Sequence, residues 1–512
     1  MYSKNGTSID RHAADRRSDI LLFLVGFALC LMVRLSTLGD LPLWFDEVVT
    51  ADSIGRTWGR MARERLSQGH FVTYFAMLKA LGLAGSSDFA LRLPSAILDA
   101  AAGGVVALIA RRVGGWSTVV PATLLYAAFP ILILYGQEAR PYALQLFFVT
   151  LAMFGQIALL AGSDDPRRHA TLATIGTLGA VWTIPASVVI VAIQHLSLLF
   201  LGVARRGHSE RPIWIRHILV TWIGGIAAFA FLIPSIWVQA NKPQGLMKWQ
   251  KGASVTGRAK EILHGTYGFR VPEDIDRYWP QPFEAMLMWI LFALLFAGLI
   301  VNRRSTVHRY LAGLAIGTFL VFIGISAVTA VTSRYLIGMM PAVVLLASSG
   351  AVALVSDRRS RWLAVPLIAL FTVGVVLQAT DTLGSQRKYD WRPIANFLHD
   401  AGVRGAVIHS NFPHAEKELK YYVDSADELT VLRLPDTGMP METPSQSDSG
   451  LPNVWFVLTT EPETPPRLPP GAASCSWYFG KMKVVMVARD LSSLPLRLRD
   501  NLANPKVCVP SA

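Results

Sequence analysis

The sequence predicts a polytopic α-helical membrane protein that ends in a small α/β domain, and three observations support this fold class. Hydrophobic residues make up 52% of the 512 residues and charged residues only 16%, a balance that is unusual for a water-facing protein. Apolar segments of roughly 20 residues, the length that crosses a bilayer core, recur from Ile20 to Ala379. After Ala379 they stop, and turn-rich, charged sequence alternates with short β-branched runs.

The apolar segments predict about eleven transmembrane helices. They lie at residues 20–38, 89–110, 116–135, 142–161, 170–186, 188–203, 217–238, 284–301, 310–331, 335–355 and 362–380. The first is too long for a signal-peptide core and lacks a small-residue cleavage site before Asp46, so we interpret it as a retained span. Basic pairs such as Arg111-Arg112 alternate with the spans so that all of them can be cytoplasmic. The net charge of +13 is therefore explained by membrane topology, and no nucleic-acid partner is expected.

This topology predicts a protein of the cytoplasmic (inner) membrane with its amino terminus inside and its carboxyl terminus outside. Residues 1–380 form the transmembrane domain, with large outer loops at 39–88 and 239–283, and residues 381–512 form a soluble extracytoplasmic α/β domain. In this domain we predict helices at 388–401 and 413–422 and strands at 405–410, 429–434, 454–460 and 484–489. Its two cysteines, Cys475 and Cys508, fit either a disulfide or two free thiols.

Two adjacent carboxylates, Asp46 and Glu47, follow the outer end of the first predicted span. Neighbouring residues on a helix or strand point in different directions, so we expect the two acids to play different parts. One can act as a general base toward an acceptor hydroxyl, while the other holds structure or orients a ligand. The structural alternative is an acidic helix start, because acids favour the first turn.

A second polar patch, at residues 135–142, lies between two apolar spans on the predicted outer face. Arg140 offers a bidentate fork for phosphate oxygens, and Glu138 can orient that fork or meet a sugar hydroxyl. An ordinary ion pair between helices is the alternative. Pro141 fits the first position of the following helix, where its missing N–H costs nothing.

Further cations lie at the predicted outer membrane boundary. Arg334 and Tyr335 mark the junction of two later spans, as a lipid-phosphate site or as an interfacial anchor. Arg92 begins a span and His70 is a lone histidine, so both fit structural roles as well as substrate binding. The outer loop at 239–283 carries seven basic residues, which suit an anionic ligand or lipid head groups. These seven are Lys242, Lys248, Lys251, Arg258, Lys260, Arg270 and Arg277.

The order and spacing of these motifs resemble a known family. The series runs from Trp44-Phe45-Asp46-Glu47 through His70 with Tyr74, Leu91-Arg92-Leu93-Pro94-Ser95 and Gln137-Glu138-Ala139-Arg140-Pro141-Tyr142 to Ser333-Arg334-Tyr335 and Asp390-Trp391-Arg392. It is similar to that of bacterial relatives of the protein O-mannosyltransferases and lipid A aminoarabinose transferases, most strongly over residues 40–160. The chain departs from the family where His70-Phe71-Val72 replaces His-Pro-Pro and Thr183-Ile184-Pro185 replaces a Thr-His-Tyr-like stretch.

The resemblance implies a GT-C fold and an inverting glycosyltransferase of the cell envelope. The donor would be a polyprenyl-phosphate sugar and the acceptor a lipid, a glycan or a protein, with no nucleotide sugar and no cofactor. Some GT-C enzymes use a divalent ion and others do not, and no ligand cluster stands out in this sequence. Asp46 matches the family's essential acid. The resemblance assigns substrate binding to Glu47, His70, Arg92, Glu138, Arg140, Tyr142, Arg334 and Tyr335.

Two other functional classes fit part of the sequence. A transporter or lipid flippase for an anionic lipid-linked substrate would also have many spans and buried charge, but its polar residues would be expected near the membrane midplane rather than at one face. A non-catalytic scaffold would account for the tail but not for Asp46 and Glu47.

Overall fold

A computed structural model describes most of the transmembrane region and the core elements of the tail. The described residues are 8–204, 211–240, 254–268, 282–328, 331–384, 390–400, 407–410, 415–423, 430–433, 454–460, 473–479, 482–488 and 507–510. By the density of internal contacts, the chain divides into two compact units. The first comprises Met1–Leu38 and Thr50–Ser385, and the second comprises Gly39–Val49 and Gln386–Ala512.

The first unit is helical in its described part. Its helices are α1 (Ser8–Leu35), α2 (Phe45–Gly55), which crosses the boundary between the units, α3 (Trp58–Ser67), α4 (Thr73–Ala80), α5 (Asp88–Gly114), α6 (Trp116–Ala128), α7 (Pro130–Gly136), α8 (Tyr142–Ala161), α9 (Pro166–Val181), α10 (Ser187–Ala204), α11 (Arg211–Ala240), α12 (Val255–Tyr267), α13 (Pro282–Val301), α14 (Thr306–Ala312), α15 (Thr318–Val328), α16 (Met340–Ser356) and α17 (Arg361–Gly384). A π-helical segment, Gly313–Gly317, joins α14 to α15, and a 3₁₀ segment, Ser333–Met339, leads into α16.

Eight described helices are long and apolar enough to cross a membrane. A ninth crossing is formed if α6 and α7, which meet at a bend of 59°, make one broken span. Each of the eleven predicted spans overlaps a helix. However, α9, at the predicted span 170–186, is not among the eight, and the apolar part of α10, Ser187–Leu201, is shorter than the others. The chain is therefore a polytopic helical membrane protein, and the count of eleven crossings stays a prediction.

Small residues let the helices of this unit approach closely, as is common inside membranes. The clearest case is the contact between α13 and α16 at Gly298 and Gly350. A Cβ atom at Gly350 would lie 1.9 Å from the Leu294 carbonyl oxygen, and one at Gly298 would lie 2.2 Å from the Leu346 carbonyl oxygen. Only glycine fits at these two positions, so backbone packs directly against backbone there.

The second unit contains a mixed six-stranded sheet. Its described elements are α18 (Arg392–Asp400), β1 (Val407–Ser410), α19 (Ala415–Tyr422), β2 (Thr430–Arg433), β3 (Val454–Thr460), β4 (Ala473–Phe479), β5 (Met482–Ala488) and β6 (Val507–Pro510). The strand order is β2-β1-β3-β5-β4-β6, with β1 parallel to β2 and β3 and the other pairs antiparallel. Both predicted helices and all four predicted strands overlap observed elements, whereas β4 and β6 were missed.

The register of β4 and β6 pairs Cys475 with Cys508. Directly opposed residues on antiparallel strands have Cα atoms about 4.5–5.5 Å apart, which is within the span of a disulfide. The disulfide stays a prediction, now with a backbone arrangement that permits it.

Candidate active site

Two buried arginines of the first unit lie close together. Arg65 on α3 is 1% exposed, and Arg140, in the turn before α8, is 5% exposed. Burial lowers the pKa of Arg65 from its ordinary value, and the nearby positive charge of Arg140 lowers it further, although Glu64 opposes both effects. Two like charges in a water-poor environment repel each other. Such a pair favours an anion bound beside it.

Neighbouring side chains contact the Arg65 guanidinium but do not provide an acceptor for each of its N–H groups. Its Cζ atom lies 5.2 Å from the centre of the Phe75 ring, and its Nη2 donates to Glu64 Oε1 at 3.1 Å. Its buried Nε has no hydrogen-bond partner among the described residues. A buried charged donor without an acceptor is costly, so this N–H suits a ligand oxygen.

The end of α3 brings His70 back beside Arg65. Gly69 has a φ of 77°, its N–H donates to the Leu66 carbonyl at 2.9 Å, and the His70 N–H donates to the Arg65 carbonyl at 3.0 Å. These two bonds form a Schellman motif, which requires a left-handed residue and so favours glycine at this position. His70 itself is half-buried.

Three of the motifs identified in the sequence, at Tyr74, Ser95 and Arg140, contact one another through hydroxyl and backbone groups. Tyr74 on α4 and Ser95 on α5 share a hydrogen bond of 2.8 Å between their hydroxyls, and Ser95 Oγ donates to the Arg140 carbonyl at 3.5 Å. Arg92 is buried, and its Nη1 donates to the Leu38 carbonyl at 3.1 Å. Arg92 therefore ties α5 to the segment after α1, the structural role that was its alternative.

A buried ion pair that the sequence analysis did not predict supports the Gln137–Tyr142 turn. Arg34 Nε on α1 and Asp99 Oδ2 on α5 are 2.6 Å apart, and both side chains are 0% exposed. The Tyr126 hydroxyl also donates to Asp99 Oδ1 at 3.2 Å. Gln137 Nε2 in turn donates to the Arg34 carbonyl at 2.9 Å. The ion pair thus helps to position the turn that carries Glu138 and Arg140.

A second polar group gathers around Arg334. Its Cζ atom lies 5.9 Å from the centre of the Tyr142 ring and 6.0 Å from that of Tyr335. Tyr142 also packs edge-on against Tyr135, with 5.0 Å between ring centres. The Tyr135 hydroxyl lies within electrostatic range of both Arg334 and Glu138. Glu138 is buried and, like Arg334, acts electrostatically on Tyr135, while its predicted contact with a substrate stays a prediction.

Glu261 on α12 was not predicted, yet it borders this group. Its Oε1 accepts hydrogen bonds from the backbone N–H and the hydroxyl of Ser333, both at 3.1 Å. Burial raises its pKa above the ordinary value, while the Ser333 bonds and the charge of Arg334 lower it. Its buried Oε2 has no hydrogen-bond partner in the described part of the chain. Glu261 can therefore accept a further hydrogen bond, for example from a hydroxyl.

Asp46 and Glu47 stand in the first turn of α2 and belong to the second unit. Glu47 is buried, and its Oε2 accepts a hydrogen bond from the Trp44 backbone N–H at 3.3 Å. A glutamate at this third helical position commonly reaches back to the residue that caps the helix. Glu47 thus has a capping role, while Asp46 is half-buried and stands beside it without sharing that bond. The structural part expected of one of the two acids therefore fits Glu47, and the catalytic part expected of Asp46 stays a prediction.

The Asp390-Trp391-Arg392 motif holds the Asp46 segment. Arg392 donates to the Gly39 carbonyl at 3.3 Å and to the Asp40 carbonyl at 2.5 Å, and Asp390 fixes its guanidinium with bonds of 2.9 and 3.0 Å. The Tyr422 hydroxyl accepts from the Leu43 N–H at 2.6 Å. Residues of the tail thus fix the backbone leading into α2, all within the second unit.

The structure therefore sorts the predicted residues into two sets. His70, Arg92, Glu138, Arg140, Tyr142, Arg334 and Tyr335 lie in the first unit, and Asp46 and Glu47 lie in the second. Of the loop cations, only Arg258 and Lys260 are among the described residues. In the described part of the chain, no three His, Cys, Asp or Glu side chains are grouped to hold a metal ion. The expectation that no cofactor is needed stays a prediction.

Comparisons with known proteins address the fold. A model for a family of unknown function (DUF6541) matches residues 100–340, and no curated protein matches the sequence. The structure is similar to ArnT, a lipid A aminoarabinose transferase, from Cupriavidus metallidurans. In the apo state the TM-score is 0.56 at 14% identity, over 94% of this chain and 99% of ArnT. With undecaprenyl phosphate bound it is 0.54 at 14% identity, over 93% and 99%.

A third similar structure is the archaeal oligosaccharyltransferase AglB from Archaeoglobus fulgidus, in complex with an inhibitory peptide and a dolichol-phosphate. Its TM-score is 0.51 at 11% identity, over 94% of this chain and 75% of AglB. ArnT and AglB are both GT-C glycosyltransferases. At these identities the similarity establishes architecture and not activity. The resemblance inferred from the motifs is thus confirmed at the level of the fold: this chain is a polytopic membrane protein with the GT-C architecture.

Proposed function

We propose that this protein is an inverting glycosyltransferase that moves a sugar from a polyprenyl-phosphate donor to a lipid, glycan or protein acceptor at the extracytoplasmic face of the membrane. The GT-C fold supports the class of enzyme. The lipid phosphates bound to two similar structures, undecaprenyl phosphate in ArnT and dolichol-phosphate in AglB, support the class of donor.

The observation that carries this proposal is the buried pair of Arg65 and Arg140. The positive charges of these two buried guanidinium groups disfavour each other, and Glu64 offsets part of this effect at Arg65. A phosphate between them would remove the repulsion and supply an acceptor for Arg65 Nε. Arg334 adds a third cation near Glu138, and Glu261 Oε2 is available to a sugar hydroxyl.

The chemistry that the family resemblance implies is a single displacement, with the role of each residue taken from the motif that it matches. Asp46 takes the proton from the acceptor hydroxyl, and that oxygen attacks the anomeric carbon. The bond from the anomeric carbon to the phosphate oxygen breaks, and its electron pair stays on the phosphate. Arg140 and Arg334 stabilise the negative charge that develops there, which is the larger part of catalysis in such reactions. The step uses no nucleotide sugar.

The decisive experiment is turnover of a lipid-linked sugar by the purified full chain in liposomes, with membrane extract as the acceptor source. We expect Asp46→Asn to abolish release of the polyprenyl phosphate. Asp52→Asn is the matched control, because Asp52 lies on the same helix, is exposed, and pairs with Arg56 at 2.7 Å. The control should retain wild-type turnover.

Two results would contradict the proposal. Equal turnover by Asp46→Asn and the wild type would remove Asp46 as the base. Movement of the intact lipid-linked sugar across the bilayer, without cleavage of its phosphate bond, would favour the transporter.

The orientation in the membrane is part of the proposal. We place the amino terminus in the cytoplasm and residues 381–512 outside, in the cytoplasmic membrane, because the basic clusters fall at alternate ends of the spans. A reporter fused after Asp381 should be active only outside the cytoplasm. A reporter active inside would reverse the assignment of faces.

A further inference from the structure

A basic cavity of about 740 Å³ lies between α9 and α11, apart from every residue of the candidate active site. Arg167 in the first turn of α9 and Arg216 in the second turn of α11 line its sides. His217 and two threonines, Thr171 and Thr174, supply the remaining polar groups. The cavity is thus large enough for a phosphate head group and carries cations on two separate helices.

Among the described residues, the lining of this cavity carries positive charge and no acid. Arg167 and Arg216 are both exposed, and neither forms an ion pair with another residue in the described part of the chain. Two arginines flanking a cavity without a carboxylate form a site for an anion from outside the protein.

The floor of the cavity is a fixed chain of hydrogen bonds. The Tyr310 hydroxyl donates to Gln156 Oε1 at 2.5 Å, and Gln156 Nε2 donates to His217 Nε2 at 3.3 Å. Because that ring nitrogen accepts, His217 Nδ1 carries the proton and donates to Thr174 Oγ1 at 2.8 Å. Thr174 completes the chain by donating to the Ala170 carbonyl at 2.8 Å. Both ring nitrogens of the neutral His217 are therefore hydrogen-bonded within the protein. Only the two arginines remain to neutralise the charge of an anionic ligand.

The surface around the cavity indicates a lipid rather than a soluble anion. Arg216 lies four residues inside the candidate span Pro212–Pro234, about 6 Å along the helix from its end, so its long side chain can extend to the level of the lipid head groups. Below it, Leu219 and Ile223 on α11 are exposed, as is Ile175 on α9. These side chains offer an apolar track that acyl chains can cover.

We propose that the cavity between α9 and α11 is a binding site for an anionic phospholipid, with Arg167 and Arg216 holding its phosphate and the apolar side chains below them contacting its acyl chains. This site is separate from the donor site of the proposed function and does not depend on it. The bound lipid would tie two helices that otherwise meet around an open space, so it stabilises the bundle from the bilayer side.

The test is lipid binding by the full chain in detergent, titrated with phosphatidylglycerol and followed by native mass spectrometry. The variant Arg167→Gln/Arg216→Gln should bind the first phosphatidylglycerol about 30-fold more weakly than the wild type, because about 1 kcal/mol for each cation corresponds to about five-fold in affinity. The control, Arg303→Gln/Arg304→Gln, removes two exposed cations after α13 that do not line the cavity. It should change the affinity less than about two-fold.

A second variant tests the cavity without changing charge. Val220 lines the cavity and is partly exposed, so Val220→Trp should narrow the space and weaken lipid binding while both arginines remain. Phosphatidylcholine should bind no better to the wild type than to either variant.

Three results would overturn the inference. Equal losses in the two arginine variants would identify general interfacial anchors. Displacement of the lipid by millimolar inorganic phosphate would identify a soluble-anion site. Unchanged phosphatidylglycerol binding by both Val220→Trp and Arg167→Gln/Arg216→Gln would show that the lipid does not bind in this cavity.

Discussion

Removal of the Asp99 carboxylate should destabilise the helical bundle more than any exposed substitution. Asp99→Ala leaves the Arg34 guanidinium at 0% exposure without the carboxylate that lies 2.6 Å away in the wild type. Arg34 keeps hydrogen bonds to the carbonyls of Ala127 and Tyr126, but these do not neutralise its charge. Breaking a buried pair in this way costs about 3–5 kcal/mol. The unfolded fraction should therefore rise about 100- to 5,000-fold.

The same two helices provide the control for this prediction. Asp19 on α1 pairs with Arg111 on α5 at 2.8 Å, but both side chains are partly exposed, so Asp19→Ala should cost less than about 1 kcal/mol. The assay is equilibrium unfolding in mixed micelles titrated with a denaturing detergent. Replacing both partners by apolar residues, Arg34→Met with Asp99→Leu, should recover most of the loss. A similar small cost for Asp99→Ala and Asp19→Ala would refute the reasoning.

Three further predictions concern the supports of the site and the tail. Gly136→Ala should cost about 1–3 kcal/mol in the same unfolding assay, because its Cβ would lie 3.0 Å from Asp99 Cγ, inside a buried pair that cannot move aside. Arg392→Ala should lower kcat with little change in KM for the donor, whereas Lys420→Ala, which breaks only an exposed pair with Glu416, should leave both unchanged; equal kcat values would show that the Asp46 segment does not need this clamp. Alkylation should block Cys475 and Cys508 only after reduction, and labelling without a reductant would indicate two free thiols.

The membrane helices were predictable because length and apolarity alone define them. The tail was harder. Its predicted strands have β-branched sequences, but β4 reads Ala-Ser-Cys-Ser-Trp-Tyr-Phe, with small residues where a strand pattern needs large ones, and β6 has only four residues. β6 joins the sheet only by pairing with β4, about 30 residues earlier in the chain, and local sequence patterns do not encode such pairing.

The candidate site was partly predictable in the same way. Arg140 was singled out because it stands in a dense polar patch between two apolar spans. Arg65 was missed because it resembles its neighbours on α3, such as Arg63, and its burial, which includes packing beside Phe75, arises from tertiary structure. Arg34 and Asp99 had a usable signal that was overlooked, since an ionisable residue within an apolar span is rare and usually has a partner.

The structure agrees with the interpretation of Glu47 as an acidic helix start, because its carboxylate caps the start of α2. Glu47 therefore fits that interpretation, while catalysis by Asp46 stays a prediction. The Asp390-Trp391-Arg392 motif shows the opposite case. Sequence could only note its resemblance to a family landmark, whereas the structure gives its physical role as a clamp on backbone carbonyls 352 and 353 residues earlier in the chain.

The most direct test of the central claim is the binding of undecaprenyl phosphate to the full chain with and without the buried arginines. Arg65→Gln and Arg140→Gln should each weaken binding about 10-fold or more, because each removes a charge-assisted hydrogen bond to the phosphate. Arg63→Gln removes an exposed arginine from the same helix and should bind as the wild type does. Wild-type affinity in both buried variants would contradict the account, since no lipid phosphate would then lie between Arg65 and Arg140.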